Sequence, residues 1–173
     1  MKIAVIVFLA LVLASCTGTR PSHIGDGALA PCPGTPNCVS TKAPADDSAH
    51  AIAPLVYSGS MEDAMATLKA AVDSMPRTEL VAETKDYLYV EFTSAVWRFV
   101  DDVEFIFDDE KKVIHFRSAS RLGKSDLGVN RARMEEVRAL FEEASGGAAS
   151  GNNTQNSEEP PEPGEAPADT SAR

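Results

Sequence analysis

The run from residue 79 to residue 118 constrains the fold most. It is rich in β-branched and aromatic residues and broken only by turn signals, giving strand-like stretches at 79–83, 87–100, 103–107 and 112–118. A connection as tight as Asp108-Asp109-Glu110-Lys111 joins antiparallel neighbours. In the longest stretch Leu88, Val90, Phe92, Ser94 and Val96 share one face by the period of two. Tyr87, Tyr89, Glu91, Thr93, Ala95 and Trp97 share the other. The second set mixes aromatic and polar character. It reads either as an exposed binding face or as a face covered by the loop that carries Cys32 and Cys38.

Helical patterns flank this sheet. Residues 51–58 read as a short or edge strand, because Pro54 interrupts them. Ser60 then caps a helix, with Asp63 at the capping-box position. Met61, Met65, Leu68, Val72 and Met75 fall on one helical face, and Pro76 stops the run. A last helix is expected to start at Asn130 as its cap, with Met134, Val137, Leu140 and Phe141 inward and Gly146 at its end. Strand, helix, several antiparallel strands, helix is the order of an α+β domain. The expected architecture is an antiparallel sheet of about four or five strands with two helices packed on one face.

The ends of the chain are of another kind. One lysine, the apolar stretch 3–13 and the small residues before Cys16 describe a signal peptide over residues 1–15. The apolar stretch is shorter than the roughly 20 residues a membrane-spanning helix needs. Leu13-Ala14-Ser15-Cys16 resembles the lipobox of bacterial lipoproteins, which makes Cys16 the expected lipidation site. Thr17, not being Asp, then implies transfer to the outer membrane, facing the periplasm. Residues 16–30 read as a lipidated tether and 31–144 as the domain. Residues 145–173 read as a disordered acidic tail rich in Gly, Pro, Ser, Ala and Glu. The formal net charge of -10 speaks against a general nucleic-acid binder.

Export settles how the cysteines are read. With Cys16 assigned to lipid, Cys32 and Cys38 remain as an even pair in an oxidising compartment. A structural disulfide closing a small ring is the reading taken. A reactive dithiol and half of a metal site are the alternatives. Against metal, His23, His50 and His115 are scattered singly, whereas zinc takes four clustered ligands. No metal and no cofactor are expected.

The long connection after residue 118 is the segment that looks functional. Between Lys111 and Arg138 there are eight basic residues against three acidic ones. Arg117, Arg121 and Arg131, with Ser118, Asp126 and the helix start at Asn130, are candidates for binding an anionic or polar ligand. Arg98, Asp101 and Asp102 just upstream belong to the same candidate set. The structural alternative is that Arg117 or Arg121 pairs with Asp101 or Asp102 and fastens the loop, and that Asp126 pairs with Arg131. Gly123-Lys124-Ser125 is not a phosphate loop, because position 118 is Ser rather than Gly. No catalytic residue is assigned. The rival enzyme reading is a hydrolase-like site using His115, Ser118 or Ser120, and Asp102, without the sequence pattern of a nucleophile elbow.

Three stretches carry a family resemblance: PCPGTPNCVST, YLYVEFTSAVWRFVDDVEF and IHFRSASRLGKSDLGVNRARMEEVR. With them the chain resembles the domain-of-unknown-function family numbered 1499 over about residues 31–141. The resemblance implies an exported or envelope-associated protein and supplies no catalytic residues. The expectation is therefore a lipid-anchored envelope protein with a non-catalytic binding or interaction module. Its partners would be the membrane, through the anchor, and an anionic small ligand or an envelope protein.

Overall fold

The structure is a computed structural model and describes residues 17–25 and 27–151. The expected signal peptide, the lipidation site Cys16 and the acidic tail beyond residue 151 lie outside the described residues.

Six strands and two helices follow in chain order: β1 (Cys38–Ser40), β2 (Leu55–Val56), α1 (Met61–Asp73), β3 (Thr78–Glu83), β4 (Tyr87–Thr93), β5 (Val100–Asp108), β6 (Val113–Ser120) and α2 (Val129–Gly151). The sheet runs β1-β6-β5-β4-β3, and every strand pair is antiparallel. β1 and the two-residue β2 share the outer edge of β6, opposite its two ends. The fold is the expected α+β architecture, with one strand more than the sequence count.

Leu88, Val90 and Phe92 of β4, Phe105 and Phe107 of β5, and Ile114 and Phe116 of β6 form the core face of the sheet. Leu68 and Val72 of α1 and Met134, Val137 and Phe141 of α2 pack on it. Ser60 caps α1, accepting from the Asp63 amide at 3.0 Å. The methionine stripe is core: Met65 and Met75 are buried, and Met61 is partly so.

Two boundaries differ from the sequence reading. The stretch 87–100 is a hairpin rather than one strand. The Ser94 amide donates to the Phe99 carbonyl at 2.8 Å, and the Phe99 amide donates to Ser94 Oγ at 2.9 Å. Arg98 reverses the chain there at φ +57°. The second difference is the start of α2. Asp126, not Asn130, caps it, accepting from the Gly128 and Asn130 amides at 2.9 and 2.8 Å. Asn130 is fully buried inside the first turn. The helix also runs past Gly146 to Gly151.

Cys32 and Cys38 are joined in a disulfide with Cα atoms 5.7 Å apart. Cys38 begins β1 and is buried, so the ring fastens the incoming chain to the edge of the sheet. So short a loop removes little unfolded-state entropy. The double variant Cys32→Ser/Cys38→Ser is expected to lose about 2 kcal/mol of unfolding free energy, with the transition read by urea denaturation and an unchanged circular dichroism spectrum. No helix of the described residues is long and apolar enough to cross a membrane.

Candidate functional site

The middle of the sheet's second face is polar. Its residues are polar at the period of two: Tyr87, Tyr89 and Glu91 on β4, Asp102 and Glu104 on β5, Arg117 on β6. Burying such a row requires that each group finds a partner. Residues 17–25, expected only as a tether, supply part of the cover. Arg20 lies over the Tyr89 ring at 5.2 Å and bonds Glu91. His23 approaches Glu104 at 3.9 Å.

Arg121 organises one half of this face. Its Nε lies 3.1 and 3.0 Å from the two Asp102 oxygens, and its terminal nitrogen lies 2.7 Å from Oδ1. The same nitrogen reaches Glu91 at 2.5 Å and the Tyr89 hydroxyl at 3.0 Å. The Arg121 and Asp102 side chains are 6% and 1% exposed, so solvent does not compete. Burial alone would pull the Arg121 guanidinium down, but Asp102 and Glu91 outweigh it and hold it above its ordinary value. Burial first, then the neighbouring carboxylates, push the Tyr89 phenol up, so it stays a donor.

The other half is less completely paired. Glu104 is 1% exposed and accepts from the Tyr87 hydroxyl at 2.9 Å. Burial pushes its carboxyl up, with Tyr87, His23 and Arg117 acting in the opposite sense. Arg117 sits directly across the strand, and burial pulls its guanidinium down. Among the described residues Glu104 Oε2, His23 Nε2 and Arg117 Nε have no hydrogen-bond partner.

A second polar cluster lies on the core side, where the sheet meets α2. Asp101 receives Arg133 at 2.5 Å, and Arg133 stacks over Phe92 at 4.8 Å. Asn130 Oδ1 accepts from the Ser118 hydroxyl at 2.5 Å and from Arg133 at 2.9 Å. Its amide nitrogen faces Asp126 at 2.8 Å, Ser120 Oγ at 2.9 Å and the Asn37 carbonyl at 3.1 Å. Beside this cluster is a cleft of about 190 Å³ between the β4–β5 hairpin loop and the β6–α2 connection. Phe99, Leu122 and Val129 line it, together with the polar groups of Asp101, Ser120 and Asp126. A neighbouring hollow of about 310 Å³ shares Ser94 and Val129 with it and extends toward Arg133.

The candidate ligand residues therefore separate. Arg121 and Asp102 pair, as the structural alternative required. Asp126 does not pair with Arg131. It caps α2, while Arg131 donates to the Ser48 and Ala49 carbonyls at 3.3 and 3.2 Å. Arg117 and Ser118 sit on opposite faces of β6. Arg98 is exposed at the hairpin tip and makes no side-chain hydrogen bond to either cluster among the described residues. His115 does not meet Ser118 or Asp102. Its Nδ1 lies 3.1 Å from Thr41 Oγ1, whereas Ser118 is engaged with Asn130 and Asp102 with Arg121. Burial, then Lys42, pull the His115 imidazole below its ordinary value.

Glu104, Tyr87, Arg20 and Asn37 are cluster members outside the candidate set; Arg133 belongs to the basic run but not to the candidates. The alternation Tyr-x-Tyr-x-Glu on β4 against Asp-x-Glu on β5 was a readable signal for the first two.

The fold and its buried polar face define a small α+β domain with a sheet sided by helices on one face and by an ion-pair layer on the other. The chain belongs to the family described as protein of unknown function (DUF1499), whose model matches residues 28–141. No curated protein matches the chain.

Proposed function

We propose that the protein is a lipid-anchored cell-envelope protein whose domain is a non-catalytic binding module. The observation that carries the binding part is the cleft between the hairpin loop and the β6–α2 connection. It has apolar walls at Phe99, Leu122 and Val129 and a few convergent polar groups at Asp101, Ser120 and Asp126. Apolar walls with a few oriented polar groups are the usual make-up of a small-molecule site. The candidate Arg121, and Arg133 beside the cleft, support it differently. Arg121 and Arg133 are neutralised by Asp102 and Asp101, so they hold the walls in place. A ligand with a polar head and an apolar portion suits this lining better than a bare anion.

The test is co-purification. The full chain, extracted from envelopes in mild detergent, is compared by lipid and metabolite mass spectrometry with a Val129→Trp variant that fills the cleft. An amphiphilic compound enriched on the wild type and lost from the variant supports the reading. Identical profiles would remove the cleft as a binding site. The anchor is tested by intact mass, which shows an acylated Cys16 if the lipobox reading holds.

A further inference from the structure

Eight large apolar residues are exposed among the described residues; five sit on two adjacent loops and a sixth, Val129, opens α2 beside them. On the β4–β5 hairpin loop Val96 is 77%, Trp97 69% and Phe99 42% exposed. On the β6–α2 connection Leu127 is 95% and Leu122 42% exposed, and Val129 at the start of α2 is 48% exposed. The loops are held side by side, since the Arg121 amide donates to the Val100 carbonyl at 3.1 Å. Leu127 has a φ of +57°, a backbone conformation that bulky L-residues avoid, and it holds its side chain fully outward. Val96, Trp97 and Leu127 are the most exposed of the six. Arg98 and Lys124 stand exposed among them and make no hydrogen bond or ion pair among the described residues.

The path of the chain says what covers this patch. Gly18 lies against the base of the same connection: a Cβ there would be 2.9 Å from Arg121 Cβ and 3.2 Å from Leu122 Cγ. Only two residues of chain, a reach of about 7 Å at full extension, separate Gly18 from Cys16 in sequence. The described chain thus begins beside the base of this connection, one residue after the expected lipid attachment site. Apolar and aromatic side chains with basic neighbours are the composition that settles into a bilayer interface bearing anionic headgroups.

We propose that the hairpin tip (Val96, Trp97) and the β6–α2 connection (Leu122, Leu127) dock into the membrane interface beside the anchor. They fix the domain's orientation so that the cleft opens at the bilayer surface. The proposal rests on the reading of Cys16 as the lipidated residue.

Trp97 is the chain's only tryptophan, so it reports on the patch directly. The full chain is reconstituted into phosphatidylethanolamine–phosphatidylglycerol vesicles, with and without lipids brominated near the headgroup end of the acyl chain. Interfacial insertion places the indole at the acyl boundary, so its emission should be quenched by the brominated lipid. A Val96→Asp/Leu127→Asp variant, altered only at exposed tips, should lose that quenching and become accessible to aqueous iodide. Intact mass of the same sample separates the two readings. An acylated chain whose Trp97 is quenched by iodide and not by brominated lipid overturns the docking alone. A chain without acyl groups overturns the anchor. Quenching by brominated lipid in an acylated chain supports docking beside the anchor.

Discussion

Asp102→Ala is expected to lower the unfolding free energy by about 3–5 kcal/mol, the range for removing one partner of a buried ion pair. Asp102 is 1% exposed and holds both Arg121 and the Tyr89 hydroxyl, the latter at 2.5 Å. In the variant a guanidinium that is 6% exposed keeps its charge with only Glu91 to face it. Asp102→Asn keeps an acceptor for Tyr89 and most of the volume, so its loss should be smaller than that of the alanine variant. The comparison is Glu83→Ala, which breaks the 2.6 Å Lys69–Glu83 pair at the surface. That loss should stay within about 1 kcal/mol, because both side chains remain solvated. Urea denaturation of the three variants ranks them. If Asp102→Ala falls in the range of Glu83→Ala, the polar layer contributes no more than a surface contact does.

Why that layer escaped sequence reasoning follows from the covering segment. The alternation of Tyr87, Tyr89 and Glu91 showed a face of mixed character, and period two placed it correctly. Whether the face is open or covered depends on where residues 17–25 go, and nothing local in Arg20 or His23 says that they fold back onto β4 and β5. The core face was legible for the opposite reason. Leu88, Val90, Phe92, Phe105 and Phe116 can satisfy themselves only by burial, so their periodicity alone fixes their direction. The hairpin at residues 94–99 was hidden because Val96, Trp97 and Phe99 are good strand formers. They are exposed there instead, at 77%, 69% and 42%. A local propensity was overridden by a turn whose hydrogen bonds come from a serine. If the tips dock into a membrane, this disagreement is what an interface-facing loop should look like, since its apolar residues pack against a partner outside the chain.

Asn130 gave a misleading signal of another sort. An asparagine before an apolar helical pattern reads as a cap, yet Asp126 performs that role from four residues upstream. Asn130 is free to act as the joint between four pieces of chain: the disulfide-loop carbonyl of Asn37, the β6 hydroxyls of Ser118 and Ser120, Asp126 of the connection, and Arg133 of α2. Asn130→Ala should therefore leave the helix capped but strip partners from buried groups, chiefly the fully buried Ser118 hydroxyl. Each such group costs roughly 1–3 kcal/mol when left unsatisfied, so a total loss of about 3 kcal/mol is expected. Asn130→Leu separates hydrogen bonding from volume. It fills the space and restores none of the donors or acceptors, so it should lose at least as much as alanine. Hydrogen exchange gives a local readout. The Ser120 amide, which donates to the Asn37 carbonyl at 3.0 Å, should exchange faster in both variants. The α1 amides should change only as far as global stability does. If leucine restored wild-type stability, Asn130 would be a spacer. If both variants unfolded the α2 start without affecting Ser120, its role would lie in the helix, not in the joint that holds the cleft wall to the sheet.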